Sequence, residues 1–145
     1  MIVDGDTSVL VKLFVVEEGS EQVRAMLQQA WALGTALLAR AELGTAMTRA
    51  ARSGSISGEE AKEARRSLAA VWPTWAHIAV DEALAARAEA VAWEYGLRGY
   101  DAVHLASALT WQDQLGRPIT LATFDRDLWE AASQALLARW PEERP

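Results

Sequence analysis

The chain contains no cysteine, which excludes disulfides, thiolate nucleophiles and cysteine-ligated zinc. It has only two histidines, His77 and His104, too few for a histidine-rich metal site. A metal bound here is therefore expected to be hard and held by carboxylate oxygens, which points to magnesium or manganese. No apolar run approaches the roughly 20 residues needed to cross a bilayer. No basic-then-apolar leader opens the chain either, since an acid stands at position 4. A cytoplasmic location with no membrane association is the expectation. Positive charge is scarce as well: 14 Lys and Arg face 20 Asp and Glu, for a net charge of −6. That balance argues against gripping nucleic acid through the overall field. It leaves room for local basic residues beside a metal-neutralised acidic cluster.

What is present is the composition of an ordinary globular protein, with 51% hydrophobic and 23% charged residues over 145 positions. One domain, residues 1–145, is expected, long enough to bury roughly 70% of the surface of its unfolded chain. There is no repeat, low-complexity tract or linker.

Ile2 and Val3 begin a short β-rich segment that meets Asp4 and Asp6 almost at once. Thr7 or Ser8 can cap a short helix through Phe14. Ser20 is a plausible N-cap for a helix from Glu21 to about Trp31, which Gly34 would end. Thr35–Ala39 is a candidate second strand, followed by a helix from Arg40 to Arg52. Ser57 and Glu60 form a capping-box pattern opening a helix to about Val71. His77–Val80 is the third strand candidate, and Asp81 caps an alanine-rich helix through Tyr95. Asp101 opens a helix to about Leu115, Ile119–Thr123 is the fourth strand, and Asp125 leads into a helix through about Leu137. The charged tail from Arg139 to Pro145 is expected to fray. Trp31, Trp93 and Trp111 fall in helical apolar patterns expected for a core or a dimer interface. Trp72 and Trp75 flank a proline and are expected in an exposed patch. Strands alternating with helices imply crossover connections, hence an α/β fold with a parallel sheet covered on both faces.

The acids follow that alternation. Asp6 ends the first strand, Glu42 lies just past the second, Asp125 just past the fourth, and Asp101 opens the helix before the fourth. In parallel sheets the carboxyl ends of the strands share one edge, where ligands bind. Carboxylates gathered there repel one another unless cations lie between them. Paired divalent cations activate a water and steady an in-line displacement at phosphorus, so the pattern suggests metal-assisted phosphodiester hydrolysis. Each acid alone also reads as a helix cap or a solvated group, and Asp127 reads as a first-turn helix acid. His104, one turn after Asp101, reads as a packing histidine or a neighbour of the site. Lys12, Arg40, Arg49 and Arg52 are candidates for phosphate contact as well as for plain solvation.

Asp6-Thr-Ser-Val-Leu-Val-Lys12, Arg40-Ala-Glu-Leu-Gly-Thr-Ala46, Tyr100-Asp-Ala-Val-His-Leu-Ala106 and Thr123-Phe-Asp-Arg-Asp-Leu-Trp129 resemble the four acidic motifs of PIN-domain ribonucleases. In length and order they are most similar to the VapC toxins of bacterial toxin–antitoxin pairs, and the resemblance covers nearly the whole chain. It implies a three-layer α/β/α sandwich with a central parallel sheet of four or five strands. It implies a Mg2+- or Mn2+-dependent endoribonuclease that cuts an RNA substrate, usually as a homodimer. It further implies inhibition by a cognate VapB-like antitoxin, through which alone DNA would be contacted. Carried over by position, Asp6, Glu42, Asp101 and Asp125 would be the catalytic metal ligands, with Thr123 the hydroxyl beside the fourth acid. Two departures stand out. Asp4-Gly5 precedes the Asp-Thr-Ser unit, and Asp6 is preferred over Asp4 because Thr7-Ser8 follows it directly. Leu136-Leu-Ala-Arg-Trp140 replaces the usual glycine-led final strand.

Two other functions fit parts of the sequence. Asp4-Gly-Asp6-Thr7 matches the start of haloacid-dehalogenase-type phosphatases, with Asp4 as nucleophile and Asp6 as general acid, although no lysine follows residue 62. The acids could also serve a non-catalytic α/β interaction module.

Overall fold

The computed structural model describes residues 1–145. In chain order the elements are β1 (Ile2–Gly5), α1 (Thr7–Leu10), α2 (Ser20–Gln28), β2 (Ala32–Ala36), α3 (Ala39–Arg52), α4 (Gly58–Val71), β3 (Ala76–Ile78), α5 (Glu82–Tyr95), α6 (Gly99–Leu115), β4 (Thr120–Ala122), α7 (Arg126–Gln134) and β5 (Ala138–Trp140). Single 3-10 turns extend α1 over Val11–Leu13 and follow α4 over Trp72–Thr74. All five strands are parallel, in the order β3-β2-β1-β4-β5. The strand order reverses between β1 and β4, and the carboxyl ends of these two neighbours form the crevice where such sheets bind ligands.

Alternation along β1 sends its side chains to opposite layers. Ile2 joins a core built with Leu105, Ala108, Leu121, Leu128 and residues of α5. Val3 joins a second cluster with Val9, Val23 and Met26. A third, from Leu10, Leu43, Met47, Leu68 and Trp72, fastens α3 and α4 to α1. Full burial of one such Leu or Met side chain contributes about 1.5–3 kcal/mol. The α/β/α layering and the parallel sheet are those expected from the sequence, and the sheet has five strands. The fifth lies within the segment that lacks the family's glycine: Leu136 ends α7 with φ of 59°, and β5 pairs with β4 from Ala138.

Several local expectations give way to packing. Helix α2 stops at Gln28, and β2 begins at Ala32 rather than Thr35. Gly34, expected to end a helix, lies inside β2. A Cβ there would come within 2.5 Å of the Trp111 ring, so glycine answers to a close approach, not to a turn. Asp6, rather than Thr7 or Ser8, caps α1 by accepting from the Val9 amide at 3.1 Å. Gly19 precedes α2, and Ser20 is its first residue instead of its cap. The Ser57–Glu60 capping box forms as read, with bonds of 3.1 and 2.6 Å.

The tail does not fray. Trp129 Nε1 donates to the Pro141 carbonyl at 2.8 Å, Arg126 Nε donates to the Pro145 carbonyl, and Arg144 pairs with Glu130. Trp72 is buried, stacked on His77 at 4.4 Å, not part of an exposed patch. Trp111 is a core residue as expected, whereas Trp93 is 92% exposed and Trp31 is exposed too.

Candidate functional site

The crevice between β1 and β4 is closed by hydrogen bonds that link distant parts of the chain. The Asp6 amide donates to the Ala122 carbonyl at 3.1 Å, which aligns the ends of the two strands. Thr123 Oγ1 then donates to Asp6 Oδ2 at 2.7 Å and accepts from the Asp125 amide at 2.9 Å. Ser8 Oγ donates to Asp6 Oδ1 at 2.6 Å and accepts from the Phe124 amide at 2.8 Å. Two hydroxyls thus bind the start of α1 to the approach to α7. Asp6 and Asp125 are also the N-caps of those helices, with the Asp125 carboxylate accepting from the Asp127 and Leu128 amides. Helix N-termini favour negative charge.

Asp101, in the first turn of α6, faces the same crevice. Burial raises its pKa, and the charges of Asp125 and Asp6 raise it further, while Arg98 pulls the other way. Arg98 spans the acids directly, with Nε 3.2 Å from Asp101 Oδ2 and Nη2 3.4 Å from Asp125 Oδ2. Burial likewise raises the pKa of Asp6, against the opposing effects of His104, Ser8, Thr123 and the Val9 amide. Three carboxylates therefore share one electrostatic neighbourhood, and Arg98 is the largely exposed cation that meets two of them.

Glu42 lies at the same edge but turns aside. Its Oε2 accepts from Thr7 Oγ1 at 2.6 Å and lies 2.8 Å from His104 Nε2. Burial alone would raise its pKa, but the His104 and Thr7 hydrogen bonds outweigh that and hold it below the usual range. For His104 burial acts downward, and the contact with Glu42 together with the charges of Asp6, Glu42 and Asp4 reverses it, so its pKa is raised. The contact favours the protonated imidazole and the ionised carboxylate, although His104 Nδ1 is buried without a hydrogen-bond partner. As the side chains stand, no three of the acids approach closely enough to share one ion. The donors are all carboxylate oxygens with a hydroxyl behind them, which suits a hard divalent cation.

Asp4 has a different environment. It is 0% exposed, and neither carboxylate oxygen has a hydrogen-bond partner. By alternation it points with Ile2 toward the α6 layer, one step beneath the crevice. Burial, against the opposing charge of His104 and with the added charge of Asp6, pushes its pKa up to about 7. A carboxyl enclosed in this way cannot reach a substrate, which removes the phosphatase reading that needs Asp4 as nucleophile. Asp127 contributes its amide to the Asp125 cap and is exposed, as a first-turn acid should be.

Sequence reasoning missed Ser8, Thr7 and Arg98 as supports of the acids. The Thr7-Ser8 pair directly after Asp6 was a signal for the first two. Nothing in the pattern marked Arg98, whose reach depends on how the loop before α6 lies against α7.

Residues 5–134 match the model of the PIN domain family. The chain is 33% identical over 131 residues to Ribonuclease VapC45 of Mycobacterium tuberculosis, an alignment covering 90% of this chain and 88% of that protein. Its fold is similar to the crystal structure of FitAcB from Neisseria gonorrhoeae, with a TM-score of 0.64, 19% identity and coverage of 95% and 96% of the two chains. It is also similar to VapBC2 from Rickettsia felis bound to a promoter DNA fragment, with a TM-score of 0.64, 13% identity and coverage of 97% and 99%.

Proposed function

Because this chain belongs to the PIN domain family, we propose that it is a Mg2+- or Mn2+-dependent endoribonuclease and the toxin of a toxin–antitoxin pair. The observation that carries this reading is the Thr123 hydroxyl, which ties Asp6 to the Asp125 turn at the strand-order reversal, with Asp101 facing both. Asp6, Asp101, Asp125 and Glu42 are the metal ligands in this proposal. A magnesium or manganese ion held by these residues would supply an acidified water and offset negative charge at the phosphate.

The chain's own residues do the remainder. Ser8 and Thr123 fix both oxygens of Asp6, so its carboxylate needs little reorganisation when charge gathers at the site. His104 and Thr7 keep Glu42 ionised at the rim. Arg98 offsets the repulsion between Asp101 and Asp125 until a cation does so. The substrate is RNA, the regulator a VapB-like antitoxin, and the working state a cytoplasmic homodimer; no helix is long and apolar enough to cross a membrane.

The test is cleavage of unstructured and loop-containing RNA by the purified chain with Mn2+ or Mg2+ and with EDTA. Cleavage should need the metal and fall to the EDTA background in Asp6→Asn, Asp101→Asn and Asp125→Asn. Induced expression should arrest bacterial growth for the wild type and not for Asp6→Asn. Metal-independent cleavage, or full activity in the three variants, would remove the proposal.

A further inference from the structure

Three arginines stand along one groove that begins at the acids. Glu42, Thr45, Arg49 and Arg52 recur at spacings that place them on one face of α3. Arg65 of α4 joins Arg49 and Arg52 across a groove floored by Ala41, Gly44, Thr45 and Thr48. Two adjoining cavities that share Arg49 with it reach Glu42, Tyr100 and Asp101, at the rim of the candidate site. Glu42 and Arg49 are about 10 Å apart along the helix, two turns.

Their shared groove sets these arginines apart. Lys12, Lys62, Arg66, Arg87, Arg98 and Arg144 each meet a carboxylate within 4.0 Å; of the arginines that meet none, Arg49, Arg52 and Arg65 line one groove together, whereas Arg24, Arg40, Arg117, Arg126 and Arg139 lie outside it. Of the other basic residues read from the sequence as phosphate contacts, Lys12 is engaged by Glu17 and the Glu18 carbonyl. Arg40 lies over the Trp72 ring at 5.4 Å. In a chain of net charge −6, three adjacent arginines without an acid mark a place for an outside anion.

The floor of the groove points the same way. Gly44 sits in mid-helix, where glycine is unfavourable, yet a Cβ there would touch no protein atom within 4 Å. Nothing inside the fold asks for its small size. The Thr45 and Thr48 hydroxyls donate to the Ala41 and Gly44 carbonyls, which leaves the guanidinium groups as the donors that face the groove. Tyr100, 69% exposed, stands where the groove meets the acids, as a stacking surface would.

We propose that Arg49, Arg52 and Arg65 form a phosphate track that holds the backbone of single-stranded RNA as it leaves the scissile position at Asp6, Asp101 and Asp125. This rests on the ribonuclease reading and adds where the substrate lies. The track is contiguous with the acids, which favours the strand being cut over an acidic protein segment as its occupant. Bidentate guanidinium–phosphate contacts suit arginine better than lysine, and all three residues are arginine.

The test compares RNA binding in an Asp6→Asn parent, which prevents turnover, with the same chain carrying Arg49→Gln, Arg52→Gln and Arg65→Gln. A charge-matched control carries Arg24→Gln, Arg117→Gln and Arg144→Gln, away from the groove. A fluorescent single-stranded oligoribonucleotide is titrated in Mg2+ at several salt concentrations, and circular dichroism verifies that each variant is folded. The track variant should bind at least about ten-fold more weakly, and the slope of log K against log salt should fall by about 2, as three lost single-strand phosphate contacts require. The control should follow the parent. An unchanged slope in the track variant, an equal loss in the control, or no measurable binding by the parent would each overturn the proposal. So would a variant that keeps RNA binding but loses binding of poly-L-glutamate, since the groove would then belong to an acidic protein partner. Hydrolysis of bis(p-nitrophenyl) phosphate in Mn2+ by chains with Asp6 intact separates the two readings. Its loss in the wild type removes the nuclease reading, whereas its retention in the arginine variant shows that only the track was altered.

Discussion

Thr123 Oγ1 donates to Asp6 Oδ2 at 2.7 Å, joining two residues 117 positions apart at the centre of the sheet. The same oxygen accepts from the Asp125 amide. One hydroxyl therefore sets both the orientation of the first acid and the turn that presents the fourth.

Thr123→Val keeps the β-branched shape in a fully buried position and removes both bonds. With Asp6 and the Asp125 amide left underpaired, the expected loss is about 1–3 kcal/mol of stability, measured by urea unfolding. RNA cleavage in Mn2+ should fall more steeply than stability, because Asp6 loses its fixed orientation. A Val variant with wild-type kcat/KM would show that the hydroxyl only serves the fold.

Asp4→Asn should leave RNA cleavage in Mn2+ largely intact, since no oxygen of Asp4 reaches the crevice. Its effect should appear in the pH dependence of stability. The folded chain keeps the Asp4 proton up to about pH 7, while the unfolded chain releases it near 3.8. The folded state thus binds more protons between those values, so stability falls as pH rises from about 4 to 7 and then levels. The shift corresponds to on the order of 4 kcal/mol at full extent. Melting curves in EDTA should show this decline in the wild type and a flatter profile in Asp4→Asn.

His104→Gln probes the opposite group. The folded chain holds the His104 proton above its ordinary pKa of 6.5. The stability it contributes is complete below 6.5 and disappears as pH rises through the raised folded value. His104→Gln should remove the His104 part of the decline, while the Asp4 part remains and, without the opposing His104 charge, extends to higher pH. Glu42, having lost one of its two partners, should titrate higher, and nuclear magnetic resonance of its side-chain carboxyl reads that directly. An unmoved Glu42 would separate it from His104.

Gly34→Ala places a Cβ 2.5 Å from the Trp111 ring. Overpacking of this kind costs about 1–3 kcal/mol or more. Trp111→Leu should cost stability in the wild type and much less in the Gly34→Ala background. The coupling energy from that double-mutant cycle is the measurement; additive costs would mean that the strand moves aside instead.

Much of the fold was legible because it depends on local pattern. The Ser57–Glu60 capping box, the Asp81 cap and the alternation of short apolar strands with amphipathic helices are near-neighbour effects, and they formed as read. Boundaries failed where a distant contact prevailed. Gly34 reads as a helix stop until Trp111, some 77 positions later, explains its lack of a side chain. The four acids were legible as residues, in their order and at their strand ends, but not in their separate environments.

By itself the sequence determined the α/β alternation, the carboxylates at the strand ends and the absence of any sulfur or histidine cluster to compete with them. These follow from spacing and composition, which act over a few residues. Only the tertiary structure decided that Asp4 is enclosed beneath the crevice, that His104 turns Glu42 aside, that Arg98 spans Asp101 and Asp125, and that three arginines line one groove. Each of those depends on which helix packs against which strand. Burial and charge act through space, and no spacing along the chain records a distance across it.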